Sequence, residues 1–147
     1  IRECMEATHP DSISLVKKTM DIKLDGGRII LYPAEAGVND NESSVCILFQ
    51  TQNCDILITG DRSKAGEKML LEQTKLPEVE LLVVGHHGSN TATSYELLLA
   101  AKPQTAVISV GADNPYGHPR QEVLDRLSMF CKQIYRTDQQ GTIIFRG

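Results

Sequence analysis

The chain has 147 residues, of which 41% are hydrophobic, and its 15 basic and 19 acidic side chains give a net charge of −4. This length and apolar content suffice for one compact unit with a substantial core, so residues 1–147 are predicted to form a single domain or part of one. The mildly acidic balance argues against free-standing nucleic-acid binding, which usually leaves a basic footprint. No apolar stretch approaches the ~20 residues that a membrane-spanning helix needs.

The chain opens on Ile1 rather than Met and has no signal segment, which suggests a piece of a longer protein. The fragment itself is expected to be soluble. Localisation stays open, because targeting signals of the parent protein would lie elsewhere.

The first half of the chain predicts two β-hairpins. Met20–Leu24 and residues 28–32 are short β-like runs on either side of a Gly pair, which supplies the positive φ angles of a tight turn. Residues 45–49 and 55–59 are predicted as a second strand pair joined by a polar segment. The stretch before Met20 fits neither the helical nor the strand period and is left unassigned.

The second half repeats one supersecondary unit three times: an apolar strand, a short Gly-rich polar loop and a helix. The three helices are predicted at residues 64–74 behind the N-cap Ser63, after Thr93 or Ser94, and from Pro119 onward.

A last hairpin is predicted with strands at residues 133–137 and 142–145. Strand–helix–strand units place successive strands parallel in one sheet, and such sheets bind ligands at the carboxyl ends of their strands. The fold class is therefore α/β, with a mixed sheet flanked by helices and with three loops that meet at one edge.

Metal-type side chains follow each of the three strands: Asp61, the adjacent pair His86 and His87, and His118. Imidazole is the commonest metal ligand, and carboxylate oxygens hold or bridge divalent cations. Since adjacent residues usually point differently, one histidine of the pair is expected to bind a metal and the other to orient it or to contact substrate.

Structural roles remain as alternatives for each of these positions. Asp61 alone would suit a loop carboxylate that caps the next helix, the histidine pair would suit a packed turn, and the segment around His118 would suit a structural turn.

Residues that suit a phosphate or a polar substrate surround these positions. Ser89 and the amides of the following helix start could cradle an anion, and Arg120 could meet a phosphate bidentately. The polar segment 39–44, which contains Asn41 and Ser44, reads first as a loop whose amides could also line a site.

Four segments in order, ILITGD, VVGHHGSN, ISVGADNPYGHP and IYRTDQQGTIIF, resemble the metallo-β-lactamase domain at the end of ComEC-type DNA-internalisation competence proteins. The resemblance runs from about Asp25 to Gly147. It implies an αββα sandwich, here only its C-terminal portion, with two metal ions, zinc or manganese. It also implies that Asp61 bridges the ions and that His86 and His87 form the late histidine motif. In the same way, Asn41 and Ser44 match a polar segment of the family, and Tyr116, Gly117 and His118 match a terminal signature near substrate.

The family's first metal motif, His-x-His-x-Asp-His, occurs nowhere in these residues. Those ligands are expected upstream of Ile1. Because a catalytic metal generally needs about three protein ligands and an open position, the fragment alone should bind metal weakly and turn over little.

The leading hypothesis is a metal-dependent phosphodiesterase, by resemblance a nuclease acting on single-stranded or duplex DNA during uptake, with Asp61, His86 and His87 as its catalytic residues here. The resemblance implies as further partners the upstream half of the same domain and the membrane channel region of a parent in the cytoplasmic membrane. The alternatives are a phosphodiesterase acting on a small or cell-wall substrate and a non-catalytic binding module.

Overall fold

A computed structural model describes residues 16–34 and 44–146. Over these ranges, seven strands form one sheet in which the spatial order equals the chain order. The strands are β1 (Met20–Leu24), β2 (Gly27–Tyr32), β3 (Cys46–Thr51), β4 (Asp55–Ile58), β5 (Leu81–Val83), β6 (Thr105–Ile108) and β7 (Gln133–Arg136). The first four strands pair antiparallel and the last four pair parallel, so the predicted mixed sheet is confirmed.

The two predicted hairpins form close to their expected bounds. Leu24 pairs with Gly27 across a two-residue turn, in which Gly26 takes φ 82°. At the second turn, the Thr51 hydroxyl accepts a hydrogen bond from the Cys54 amide at 3.0 Å and donates one to the Cys54 carbonyl. Side chain and backbone therefore close this turn together.

The helices described are α1 (Lys64–Gln73), α2 (Tyr95–Ala101), α3 (Gln121–Ser128) and α4 (Thr137–Gln140). Ser63 caps α1 as predicted, and Ser94 rather than Thr93 caps α2 by accepting from the Leu97 amide at 3.2 Å. Helix α3 begins two residues later than predicted, because the Arg120 amide donates to the Gly88 carbonyl at 2.9 Å and Arg120 stays extended. Among the described residues, no helix has the length and apolar character required to cross a bilayer.

The predicted last hairpin is wrong. The expected turn is the short helix α4, in which the Thr137 hydroxyl is bonded to both the amide and the carbonyl of Val110 at 2.8 Å. Residues 142–145 form no strand; the Ile144 side chain is exposed, and the Phe145 ring packs edge-on against Tyr135. A run of β-branched residues makes a strand only where a neighbouring strand can pair with it.

The two faces of the sheet differ in what covers them. Alternate strand residues, among them Leu48, Leu57, Leu82 and Ile108, are buried in one core cluster together with the side chains of α1, α2 and α3. On the opposite side, beside the buried Leu81 and the polar Thr105 and Gln133, lies a group of apolar residues that are only partly buried and that lie outside that cluster. We call them the outer face: Ile29, Leu31, Ile47, Phe49, Ile56, Ile58, Val83, Val107 and Tyr135.

Candidate functional site

One cleft of about 210 Å³ is lined by Asp61, His86, His87, Tyr116 and His118. These residues follow β4, β5 and β6, the three strands whose carboxyl ends lie side by side in the parallel part of the sheet. The convergence predicted from the sequence is therefore present in the fold. The prediction that these residues carry catalysis and bind metal remains a prediction.

Backbone contacts with the segment before β3 hold Asp61 in place. Gly60 turns the chain with φ 62°, and the Asp61 amide donates to the Ser44 hydroxyl at 3.1 Å. The buried Arg62 side chain then bonds the Ser44 carbonyl at 2.9 Å and the carbonyls of Tyr32 and Pro33. In this structure Ser44 acts as a support for the Asp61 loop. Asn41 lies outside the described residues.

His86 and His87 occupy a tight turn in which both residues are left-handed, with φ 48° and 55°. The His86 amide donates to the Gly60 carbonyl at 3.0 Å, and the His86 carbonyl accepts from the Ser89 amide at 2.9 Å. A Cβ on Gly85 would lie 2.8 Å from the Thr59 hydroxyl, so this turn packs directly on the end of β4. The result is that both rings reach the same cleft, with 6.5 Å between their centroids.

The hydrogen bonds of the rings distinguish the two histidines. Nδ1 of His87 lies 2.8 Å from the Ser109 carbonyl, and since a carbonyl only accepts, Nδ1 carries the proton. In the neutral form of this ring, Nε2 of His87 holds the free lone pair, as in a metal-binding or proton-accepting imidazole. Nδ1 of His86 has a longer contact, 3.4 Å, with the Thr91 hydroxyl.

His118 stands between His86 and Tyr116. Its ring centroid is 6.1 Å from that of His86 and 5.9 Å from that of Tyr116, and the tyrosine ring is stacked on it. Nδ1 of His118 is buried and has no hydrogen-bond partner in the described part of the chain. Burial lowers the pKa of His118, and the positive charge of Arg120, together with the charge that His86 and His87 carry when protonated, lowers that pKa further.

Asn114 organises the loop that carries Tyr116 and His118. Its amide nitrogen donates to the carbonyls of Gly111 and His118 at 2.9 and 2.8 Å, while its amide oxygen accepts from the His118 amide at 2.9 Å. Asn114 was not predicted from the sequence to belong to the site. Its position in a Gly- and Pro-flanked loop is the signal that could have indicated it, since Asn side chains commonly bond their own turn.

The predicted substrate residues Ser89 and Arg120 have different surroundings. Ser89 is buried and does not line the cleft; its hydroxyl is bonded at 2.9 Å to the Thr91 hydroxyl, which in turn contacts Nδ1 of His86. The Arg120 guanidinium lies over the neighbouring loop, 3.4 Å from the position that a Cβ of Gly117 would occupy. Arg120 therefore adds a positive charge beside the cleft, whereas Ser89 stabilises the loop behind it.

Glu67 and Arg126 brace the segment that follows the histidine pair. The Glu67 carboxylate is fully buried and accepts from the amides of Thr93 and Ser94 at 2.6 and 2.7 Å. The Arg126 side chain approaches the same segment and donates to the carbonyls of Ala92 and Thr93. Burial raises the pKa of Glu67, while these hydrogen bonds and the Arg126 charge oppose that rise. In sequence, both residues look like ordinary charges on the surface of a helix.

The donor types in the cleft, imidazole and carboxylate, suit zinc or manganese. Across the described residues, however, no three side chains of metal-binding type are grouped so that they could hold an ion. The cleft therefore does not make a complete metal site from these residues alone, and further ligands would have to come from another segment.

No family model matches this chain. It is 39% identical over 106 residues to the ComE operon protein 3 of Bacillus subtilis, a match that covers 72% of this chain and 14% of that protein. It is 35% identical over 117 residues to the competence protein ComA of Neisseria gonorrhoeae, covering 78% of this chain and 17% of that protein. It is also 35% identical over 104 residues to recombination protein 2 of Haemophilus influenzae, covering 71% of this chain and 13% of that protein.

These similarities relate the chain to competence proteins, of whose length it spans less than a fifth. Among solved structures, a CmlA beta-hydroxylase variant, which has a metallo-β-lactamase fold, aligns with a TM-score of 0.53 at 8% identity, covering 86% of this chain and 32% of that one. At so low an identity the likeness shows the fold alone. It confirms the predicted α/β fold of the metallo-β-lactamase type.

Proposed function

We propose that this chain is the later part of a metal-dependent phosphodiesterase domain that acts on DNA during uptake. The observation that carries the proposal is the convergence of Asp61 and three histidines in one cleft at the carboxyl edge of the parallel strands. Relatives named for competence and recombination support DNA as the substrate. The metallo-β-lactamase-type fold supports hydrolysis.

The side chains of the cleft divide into two proposed roles. Asp61 and His87 are proposed to bind the metal, because Nδ1 of His87 is bonded to the Ser109 carbonyl, which leaves Nε2 for a metal, and metal-binding histidines usually donate their other ring N–H in this way. His86 is proposed to donate a proton to the leaving oxygen, since its ring lines the same cleft and its hydrogen-bond contact with the Thr91 hydroxyl is long, at 3.4 Å. Arg120 adds a positive charge that attracts the substrate phosphate.

Zinc or manganese, two ions in the complete domain, would supply an activated water and neutralise charge on the phosphate. Because the described residues do not complete a metal site, we propose that the remaining ligands lie in the preceding part of the same domain. The short coverage of the relatives agrees with this, since most of the length of each relative lies outside the match.

The outer face of the sheet also supports the proposal that the preceding part of the same domain packs on this chain. One apolar row runs from β2 to β7, with Leu31, Ile47, Ile58, Val83, Val107 and Tyr135 aligned across the paired strands, and a shorter row of Ile29, Phe49, Ile56 and Leu81 ends at β5. Apolar side chains gain roughly 25 cal/mol per Å² when they are removed from water. We propose that the upstream half of the domain covers this face and thereby brings its ligands to the cleft. A membrane channel region of the parent remains a further proposed partner.

The first experiment measures bound metal after dialysis against manganese or zinc. It compares this chain with a natural chain extended upstream, each in wild-type form, as Asp61→Ala and as the double variant His86→Ala/His87→Ala. We expect near-stoichiometric metal only in the extended wild-type chain. Asp113→Ala is the matched control, because this exposed carboxylate lies in the loop before His118 but does not line the cleft.

DNA cleavage by the metal-loaded extended chain then separates the candidate functions. A nuclease should cleave DNA and bind it less tightly as salt rises, whereas cleavage of a small phosphodiester alone would favour the small-substrate or cell-wall alternative. If the extended chain binds no metal after dialysis, the hydrolase proposal is overturned and the non-catalytic binding module remains.

A further inference from the structure

A second cleft of about 170 Å³ adjoins the first one. It is lined by His87, Val110, Gly111, Asn114, Tyr116 and His118. Three of these residues, His87, Tyr116 and His118, line both clefts. A ligand that enters the second cleft therefore contacts the same rings that face the proposed reacting phosphate.

The walls of the second cleft are held by hydrogen bonds within the protein. Val110 is tied through its amide and its carbonyl to the Thr137 hydroxyl, each at 2.8 Å. At the other end of the loop, the three hydrogen bonds of Asn114 use both its amide nitrogen and its amide oxygen. The cleft is thus preformed, and the engaged Asn114 amide does not favour a ligand that must be read by hydrogen bonds.

The size and lining of the second cleft suit one planar ring. Pockets for small molecules usually enclose about 300–1,000 Å³, so a cleft of about 170 Å³ takes a single ring system rather than a whole ligand. One face of the Tyr116 ring stacks on His118, while 70% of the residue remains exposed. An exposed, oriented aromatic ring beside an apolar cleft is the arrangement on which nucleic-acid bases stack.

Charge near the cleft indicates what the ring is attached to. The Arg120 guanidinium packs over Gly117, the residue between Tyr116 and His118 in the sequence. Together these side chains would recognise a planar ring that has an anionic group a short distance away. A nucleotide has this combination.

We propose that the second cleft stacks the base of the nucleotide next to the phosphodiester bond held in the first cleft, with Tyr116 as the stacking platform. This inference rests on the proposed phosphodiesterase function and deepens it. A base enters such a cleft only when it leaves its stack in a duplex, which costs a few kcal/mol unless the strand is already single. The substrate is therefore single-stranded DNA or a frayed end, read without preference for base sequence.

The test compares two strands of equal length and charge, oligothymidylate and an oligomer of abasic deoxyribose phosphate. Fluorescence anisotropy measures their binding to the extended natural chain in EDTA, so that no cleavage occurs. The variants are Tyr116→Ala, Tyr116→Phe and, as a control, Leu99→Ala, which truncates an exposed apolar side chain on α2. Circular dichroism confirms that each variant is folded.

We expect Tyr116→Ala to weaken oligothymidylate binding about 5- to 150-fold, the range that corresponds to one stacked base, and to leave abasic binding unchanged. Tyr116→Phe keeps the ring and should bind like the wild type, as should Leu99→Ala. If Tyr116→Ala affects both strands equally, or neither, the base cleft is wrong while the phosphodiesterase proposal stands. If the wild-type chain binds neither strand in EDTA, the base cleft is wrong, because stacking on Tyr116 needs no metal, whereas the phosphodiesterase proposal depends on the separate metal and cleavage measurements.

Discussion

Two consecutive left-handed residues, His86 and His87, set the direction of the rings that define the site. A non-glycine residue in this backbone region costs about 1–3 kcal/mol and persists only where its surroundings fix it. Here the fixing contacts are the hydrogen bonds of the His86 amide and carbonyl to Gly60 and Ser89. The strained turn explains why two adjacent side chains face one cleft, contrary to the expectation that they would diverge.

Gly88 joins the histidine turn to the loop of His118, because it packs against Pro119 and its carbonyl accepts from the Arg120 amide. It has φ 82°, and a Cβ at this position would lie 2.5 Å from the Pro119 Cβ. We expect Gly88→Ala to lower the free energy of unfolding by about 2–4 kcal/mol, from backbone strain and overpacking together. Urea unfolding measures the change.

The matched control for this variant is Gly111→Ala. Gly111 lies in the neighbouring loop, has an ordinary φ, and no atom lies within 4 Å of the position of an added Cβ. We expect Gly111→Ala to change the free energy of unfolding by no more than about 0.5 kcal/mol. Equal losses for the two variants would show that the Gly88–Pro119 contact does not matter.

At this scale the sequence predicts residues whose chemical type is informative by itself. Asp61 and His118 are predicted for the cleft because each lies in a loop that follows a strand of the parallel part, where ligand-binding side chains gather. Asn114 and Glu67 are missed, because their roles depend on which backbone groups they meet in the fold. A sequence shows the donor or acceptor but not its partner.

Helices α1 and α3 act on the site through the segment between them. Glu67 of α1 receives two amides of that segment, and Arg126 of α3 donates to two of its carbonyls. The backbone that continues from the histidine pair into α2 is thereby held from both sides. Its position depends on helix packing as well as on the residues of the loop.

Glu67→Ala should lower the free energy of unfolding by about 3–5 kcal/mol, since it leaves two buried amides unsatisfied and Arg126 without its buried counter-charge. Glu72→Ala on the same helix is the control, because its side chain is 63% exposed and its pair with Lys68 is long, at 3.9 Å. We expect a change of less than about 0.5 kcal/mol there. Urea unfolding of both variants decides the matter: a small loss for Glu67→Ala would mean that the brace contributes little.

Element types were predictable where a strand or helix carries its own signals. Ser63 and Ser94 mark helix starts, and Gly26 marks the first turn. The last hairpin failed because residues 142–145 have the composition of a strand but no strand partner. Pairing is a property of the assembled sheet, and local propensity does not contain it.

The whole molecule has one sheet face packed on helices and one apolar face without a described helix on it. The mixed order of strands and their parallel edge follow from the spacing of strands and helices in the sequence. The sequence does not predict what covers the outer face, because alternate apolar residues are consistent with burial against any second layer.

Ile47→Thr tests whether the upstream half covers the outer face. We expect this variant to lower the free energy of unfolding by less than about 1 kcal/mol in the present chain, where Ile47 is partly exposed, and by about 2–3 kcal/mol in the extended chain, where burial of a hydroxyl is added. Leu48→Ala on the helix-packed face should cost about 2–5 kcal/mol in both chains. Equal costs of Ile47→Thr in both would place the upstream half elsewhere.

The strand order of the sheet also bears on how the protein is made. Across the described residues each strand pairs with the one before it in sequence, so no strand has to wait for a distant segment before it is hydrogen-bonded. The antiparallel hairpins close over short loops, which cost little entropy and form fast, whereas each parallel pair needs a crossover through a helix and forms more slowly. On a ribosome the sheet can therefore grow in the direction of synthesis, and the loop of Tyr116 and His118 would complete the cleft only after the Asp61 and His86 loops are in place.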